Sequence, residues 1–393
     1  MAKIRILALD GGGTRAGIIA RALAEIYGGD VGGRQILRRF DYAAANSGGS
    51  IVLAALCCDC TPRRIVELFD DPATVRRLFS PTWVARVPGL RRIVPPYSSE
   101  GKFAALQRIL DENGKEGEAP ASSIKLVDWP KRIGGDVNLL ITAFDYDRQR
   151  AVFFRSNRAS LARSSAPSVE PTLAEAVHAS TNAPIEYFDK PAAFAGRRYW
   201  DGAMGGYNNP VLAAVIEALA NDPERFEDYR VLSIGTGTNV RPFTTEGARP
   251  PLGERPPDEG WFTALETAAM VIMDDPPDAA MFEAHMALRQ PLPPRDGAFS
   301  DGTLVRISPL VRPEWDGVQW TLPRGVSEDD FRALVDLRLD PMARAELEIV
   351  RLMAELWIGG TLRNQPIRMG DRFRCEIGHD RFAEAVEHWL RIA

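Results

Sequence analysis

The stretch from Ile4 to Leu9 is apolar at every position except Arg5, and it stops at Asp10-Gly11-Gly12-Gly13. Beyond the glycines, Ile18, Ile19, Leu23 and Ile26 recur at helical spacing, which predicts a buried strand, a glycine turn and a helix. The same order returns at Phe40 to Ala45, with a turn at Asn46-Ser47-Gly48 and an apolar helix over Ile51 to Leu56. Further buried strands are predicted at Val137 to Phe144 and at Arg230 to Ile234, the second running into Gly235-Thr236-Gly237. Continuous apolar runs that alternate with helical periodicity are the pattern of parallel strands joined by helical crossovers. The expected fold is α/β, with helices on both faces of the sheet.

Two stretches break that rhythm. From Pro81 to Pro96, Trp83, Val84, Val87, Leu90, Ile93 and Val94 are interleaved with Arg86, Arg91 and Arg92 among several prolines, with no acidic residue. This reads as a surface excursion. Thr238 to Pro257 is rich in Pro, Gly and charge and reads as an exposed loop. From Trp261 onward the pattern is largely helical, with Ser327 and Asp380 as expected helix starts. No stretch approaches the ~20 apolar residues that span a bilayer, and Met1 to Asp10 lacks the pattern of a secretory signal. The expectation is a cytoplasmic protein free to meet a membrane at its periphery.

Composition narrows the partners. The 393 residues are 45% hydrophobic and 26% charged, as in soluble globular chains. A formal charge of −5 leaves no global basic field for a nucleic-acid polymer, so any polyanion site must be local. The arginines of 81–96 form one such local surface. The expectation is peripheral contact with an anionic membrane; the other reading is a Pro-rich loop packed on the domain with its arginines solvated. Cys57, Cys58 and Cys60 crowd one helix-like segment while Cys375 lies far off, a spacing that suits reduced, buried thiols better than disulfides or a zinc site.

Three short motifs carry candidate chemistry. Asp10 to Arg15 joins a strand to a helix, where consecutive glycines let bare backbone N–H groups face an oxyanion or phosphate. Gly11, Gly13 and Ala16 also fit the dinucleotide-binding pattern, but Asp10 would then face a pyrophosphate, and no strand-terminal acid follows at about twenty residues. Ala45-Asn46-Ser47-Gly48-Gly49 has the layout of a nucleophile elbow, with alanine at the first position in place of glycine, and makes Ser47 the candidate nucleophile; a plain helix-start serine is the other reading. A hydroxyl needs a neighbouring base. His178, His285, His379 and His388 all fall in helical stretches, whereas Asp201 ends a short aromatic strand and is followed at once by Gly202 and Ala203. Asp201 is therefore the better base, although Asp-Gly is also a common turn.

Together these motifs resemble the patatin-like phospholipases, in the same order and on the same strand ends. The likeness extends to Phe40-Asp41 before the elbow, Ala179-Ser180-Thr181-Asn182-Ala183-Pro184, Asn208-Asn209-Pro210, and Leu232-Ser233-Ile234-Gly235-Thr236-Gly237. It covers Lys3 to Gly237 and thins beyond; Ala16 and Ala45 stand where the family usually has glycine. The resemblance implies a three-layer α/β/α fold with a mostly parallel central sheet and a largely helical C-terminal part. The catalytic core is expected over 1–237, and 238–393 is expected as a loop plus a helical extension packed on it.

What the resemblance implies chemically is a Ser-Asp dyad without histidine, mapped onto Ser47 and Asp201. Gly11, Gly12, Gly13 and Gly48 would form the oxyanion hole, and Arg15 would support that loop or meet a lipid phosphate. The implied reaction is hydrolysis of carboxylic esters of glycerophospholipids or other acyl esters, with no cofactor and no metal. Some bacterial relatives are phospholipases switched on by cyclic nucleotides in antiphage defence, and the divergent region after Thr238 is where such a sensor is expected, though no nucleotide motif stands there. A dinucleotide-binding oxidoreductase is the remote alternative, since it gives Ser47 and Asp201 no task.

Overall fold

The computed structural model describes residues 3–82, 95–115, 117–158, 160, 169–184, 187–223, 225–239, 278–292, 302–337, 343–368 and 376–393. Most of the 81–96 segment, the stretch 240–277 and Cys375 lie outside these residues.

A central sheet is built from β1 (Ile4–Leu9), β2 (Tyr42–Ala45), β3 (Asn138–Asp145), β4 (Arg150–Arg155), β5 (Ala192–Phe194), β6 (Arg197–Asp201), β7 (Tyr229–Ile234) and, after the short β8 (Thr238–Asn239), β9 (Leu304–Ile307). Its order is β5-β6-β3-β2-β1-β7-β9, with β4 also paired to β3. Strands β3, β2, β1, β7 and β9 are parallel neighbours, whereas β4 and β6 run antiparallel to β3.

The unbroken apolar runs follow from burial on both faces. Along β1, Leu7 and Leu9 enter one core while Ile4, Ile6 and Ala8 enter the other; along β2, Ala43 and Ala45 part from Tyr42 and Ala44 in the same way. Alternate side chains of a strand point to opposite faces. The first core is closed by α1 (Gly17–Tyr27), α2 (Gly33–Leu37), α3 (Ser47–Cys57), α4 (Pro62–Asp70), α5 (Pro72–Leu78) and α6 (Ser99–Glu112). The second is closed by the helix Val211–Asn221 and helical residues 278–287. The result is a three-layer α/β/α protein with a mostly parallel sheet.

The sheet continues past the expected boundary at residue 237. Strand β9 lies at its edge, with Leu304 to Ile307 registered against Val231 to Ile234. Trp357, Phe382 and Trp389, from the helices Arg344–Ile358 and Phe382–Ile392, join the same core as α1. Ser327 caps its helix as expected, accepting from Asp330 N. The last helix starts one residue later than expected, at Phe382 behind Arg381, and the Asp380 side chain accepts from the Arg363 guanidinium. No helix of the described residues is long and apolar enough to cross a membrane.

One feature of the sheet positions the site. Strand β4 occupies one edge of β3 over Leu140 to Asp145, so β2 and β6 must share the other edge. There Ala45 pairs with Ile141 and Asp201 with Ala143. Because β2 is parallel and β6 antiparallel to β3, their C-terminal ends meet head to head.

Candidate active site

Strand β1 delivers Asp10 to the top of the sheet, and Gly11 to Gly13 turn the chain into a short 3-10 segment, Gly13–Ala16. The turn is pinned from the far side. Asp10 N donates to Ile234 O at 3.0 Å, and Thr236 Oγ1 to Gly11 O at 2.7 Å. Gly11 N is itself donated to Asn208 O at 2.8 Å, which corrects its expected place among the oxyanion donors. Its amide is spent on holding the loop, whereas those of Gly12, Gly13 and Gly48 have no hydrogen-bond acceptor among the described residues.

Strand β2 ends at Ala45, and α3 begins two residues later at Ser47 with φ +47°. A non-glycine residue in this left-handed region is strained, and such strain at a sharp turn persists only when the surroundings enforce it. Here Ser47 N donates to Ser180 Oγ at 2.9 Å, while the preceding Asn46 is fully buried and clamped. Thr142 Oγ1 donates to Asn46 Oδ1 at 2.6 Å, and Asn46 Nδ2 donates to Asp201 Oδ1 at 3.0 Å. Gly48 must be glycine because a Cβ there would fall 2.3 Å from Gly13 O, so the elbow and the glycine turn touch backbone to backbone.

Asp201 closes the arrangement. Its Oδ1 accepts from Ala203 N at 2.9 Å as well as from Asn46 Nδ2, and Asp201 lines one pocket with Ser47. Burial pushes this carboxyl above the usual range, opposed by the Ala203 amide, the Ser47 hydroxyl, the Asn46 amide and the charge of Lys102. A pocket of about 480 Å³ opens over Gly12, Gly13, Ser47 and Asp201, walled by Phe79, Tyr187 and Phe188 and by the buried Arg15. In such a pocket a serine hydroxyl can attack a carbonyl, a neighbouring carboxylate can take its proton, and unclaimed amides can hold the oxyanion that forms.

No histidine lines this pocket among the described residues. His178 stacks on Phe103 at 4.7 Å and is pushed below the usual range by burial, then by Lys102. His285 pairs with the carbonyl of Pro291, and His379 and His388 meet at 2.8 Å. Cys57, Cys58 and Cys60 are free and buried, and burial pushes their thiols up. No group of three metal-ligating side chains occurs among the described residues.

Sequence reasoning missed Asn46, Thr142 and Ser180 as the braces of the elbow, and Arg306 as the partner of Asp10. Asn46 carried a signal by adjoining Ser47, and Ser180 by standing in the Ala179 to Pro184 segment of the family likeness.

The site is a strained serine at a strand-helix turn of an α/β sheet, sharing its pocket with a buried carboxylate and with no imidazole among the described lining residues. Residues 7–215 match the family model described as patatin-like phospholipase, and the chain belongs to that family. No curated protein matches the chain in sequence. Among solved structures, VipD from Legionella pneumophila is 13% identical, with 100% of this chain and 75% of that chain covered and a TM-score of 0.35. ExoU from Pseudomonas aeruginosa, solved with SpcU, is 18% identical over 47% of this chain and 39% of that one, at a TM-score of 0.28.

Proposed function

We propose that the chain is a serine acyl hydrolase that cleaves carboxylic ester bonds of glycerophospholipids with Ser47 as nucleophile and Asp201 as general base. The observation that carries this reading is a serine held at φ +47° in the same pocket as the buried Asp201, with the adjacent Asn46 Nδ2 donating to Asp201 Oδ1 at 3.0 Å. In the reaction, Ser47 Oγ attacks the ester carbonyl while its proton passes to Asp201. The tetrahedral oxyanion takes N–H bonds from Gly12, Gly13 and Gly48. Asp201 then returns the proton to the departing alcohol, leaving the acyl group on Ser47. A water that gives its proton to Asp201 releases the fatty acid and restores the serine. Arg15 supports the glycine turn or meets the substrate phosphate. Arg15→Met separates the two: loss on phospholipid alone assigns it to the phosphate, and equal loss on a neutral ester assigns it to the loop.

The direct test is labelling with a fluorophosphonate serine probe, together with release of free fatty acid from mixed phospholipid vesicles. Labelling and release that disappear in Ser47→Ala support the reading. Labelling that survives in folded Ser47→Ala removes it.

A further inference from the structure

Lys102 is a buried cation that the reaction as written does not use. It lies in the first turn of α6, only 2% exposed. Its ammonium donates to Thr181 Oγ1 at 3.0 Å and to His178 O at 3.2 Å, the end of the helix Leu173–Ser180. It also sits 4.1 Å from the centroid of the Phe188 ring, and both Thr181 and Phe188 line the pocket over Ser47. A helix C-terminus and a ring face both favour a cation, but neither cancels its charge. The hydrogen-bond partners of Lys102 are neutral oxygens, and it forms no ion pair among the described residues. Asp201 is the carboxylate of the same pocket, and its N donates to the carbonyl of Asn182, the residue after Thr181.

We propose that Lys102 is a positioning residue for the hydrolysis: from behind the pocket wall its ammonium holds the helix end that fixes Ser47, and it is set on the side of the pocket that carries the base Asp201. This inference rests on the Ser47–Asp201 reading. Two helix-end residues link the parts, since Thr181 binds Lys102 and the adjacent Ser180 accepts the Ser47 amide. The end of β6 is tied to the same cluster, with Asp201 N donating to Asn182 O at 3.0 Å and Ser99 Oγ to Asn182 Oδ1 at 3.0 Å.

Asn46 and the Ala203 amide bond Asp201, Ser47 shares its pocket, and Lys102 from α6 is the charged group that acts on it. Those facing Lys102 are His178, Thr181, Phe188 and Asp201. Burial pushes Lys102 well below the usual lysine range, and Asp201 resists that shift; Lys102 in turn opposes the upward push of burial on Asp201. Removing the cation therefore raises the pH at which the base becomes available.

The test is the pH profile of kcat/KM on a soluble p-nitrophenyl ester for wild type, Lys102→Met, Lys102→Gln and Lys102→Arg. In the uncharged variants the acid limb moves to higher pH, so activity falls several-fold more at acid pH than on the plateau, and Lys102→Arg restores the wild-type limb. Lys102→Gln keeps a donor for His178 O and Thr181 Oγ1 and serves if Lys102→Met does not fold. An acid limb unmoved in a folded uncharged variant, with activity lowered equally at all pH values, overturns the proposal and leaves Lys102 a helix brace. Wild-type hydrolysis that is independent of Ser47 overturns the underlying reading as well.

Discussion

Arg306 Nη2 donates to Asp10 Oδ2 at 2.6 Å across 296 positions of sequence, and the two side chains are only 3% and 6% exposed. Arg306 also donates to Ser233 Oγ at 2.8 Å and Gln365 Oε1 at 3.0 Å. Asp10, which in a dinucleotide site would stand against a pyrophosphate, is instead turned into the sheet and answered by an arginine of β9. The residue that opens the glycine turn is thus held by the region after residue 237.

Removing Arg306 should leave a buried carboxylate without its counter-charge, a change that costs about 3–5 kcal/mol where one partner of a buried pair is deleted. Burial already pushes the Asp10 carboxyl up, with Arg306 opposing. A raised acid favours the fold when protonated, so the loss in Arg306→Met is expected to be full at neutral pH and to shrink as the medium is made acidic. The double variant Asp10→Asn/Arg306→Met should recover much of the stability. Urea unfolding of the four proteins in a double-mutant cycle checks this, and strictly additive losses would show the pair to be uncoupled.

Asp201→Asn should lower kcat by at least about two orders of magnitude, the scale of a positioned general base. Its Tm at pH 7.5 should equal or exceed that of wild type, because the variant no longer carries a buried carboxylate whose ionisation burial disfavours. The difference in Tm should narrow toward the ordinary carboxyl range, where wild-type Asp201 is protonated too. Alanine at His285, His379 or His388 should leave kcat near wild type. A collapse on replacing one of these histidines, with Asp201→Asn active, would restore a histidine to the mechanism.

Gly48→Ala would drive a methyl to within 2.3 Å of Gly13 O. The glycine turn must then move off the elbow and take the Gly12 and Gly13 amides out of aim. Loss of one oxyanion donor lowers turnover by about 10²–10³, and the expected loss is at least that large. Single-turnover acylation measured with a p-nitrophenyl ester distinguishes this from weaker substrate binding: the acylation rate falls while the substrate concentration for half-saturation changes little.

The basic segment 81–96 is tested by Arg91→Glu/Arg92→Glu. Each basic residue near an anionic lipid surface contributes about 1 kcal/mol, so the double reversal should weaken co-sedimentation with anionic vesicles and slow hydrolysis of vesicular lipid. Hydrolysis of a soluble ester should be unchanged. Equal loss on both substrates would assign the segment to the fold or the active site instead.

What the sequence made legible was what depends on neighbours along the chain. Strand β1 has the bounds read from Ile4 to Leu9, because a strand buried on both faces admits no polar alternation. Ser47 and Asp201 stood out as polar residues at strand ends beside glycines, a local signature. Strand β9 did not stand out, since Leu304 to Ile307 is short and contains Arg306, a charge that reads as exposed until Asp10 is placed opposite it. Asn46 and Ser180 meet only through the packing of α3 against the helix Leu173–Ser180, which no local spacing records. Gly11 carried the signal of an amide donor without the information that Asn208 claims that amide.

The head-to-head meeting of β2 and β6 makes β3 a gauge. Ser47 and Asp201 belong to different crossovers, yet their separation is set by the interval from Ile141 to Ala143, about 7 Å along a strand that supplies neither group. One residue inserted within that interval would part the proposed nucleophile and base, and would also turn the rest of β3 over onto its opposite face. Both would remain intact and correctly flanked. The tolerance of this enzyme to change is therefore narrowest in a stretch that contains nothing reactive, and a transplant of the pair into another sheet would have to carry the gauge with it.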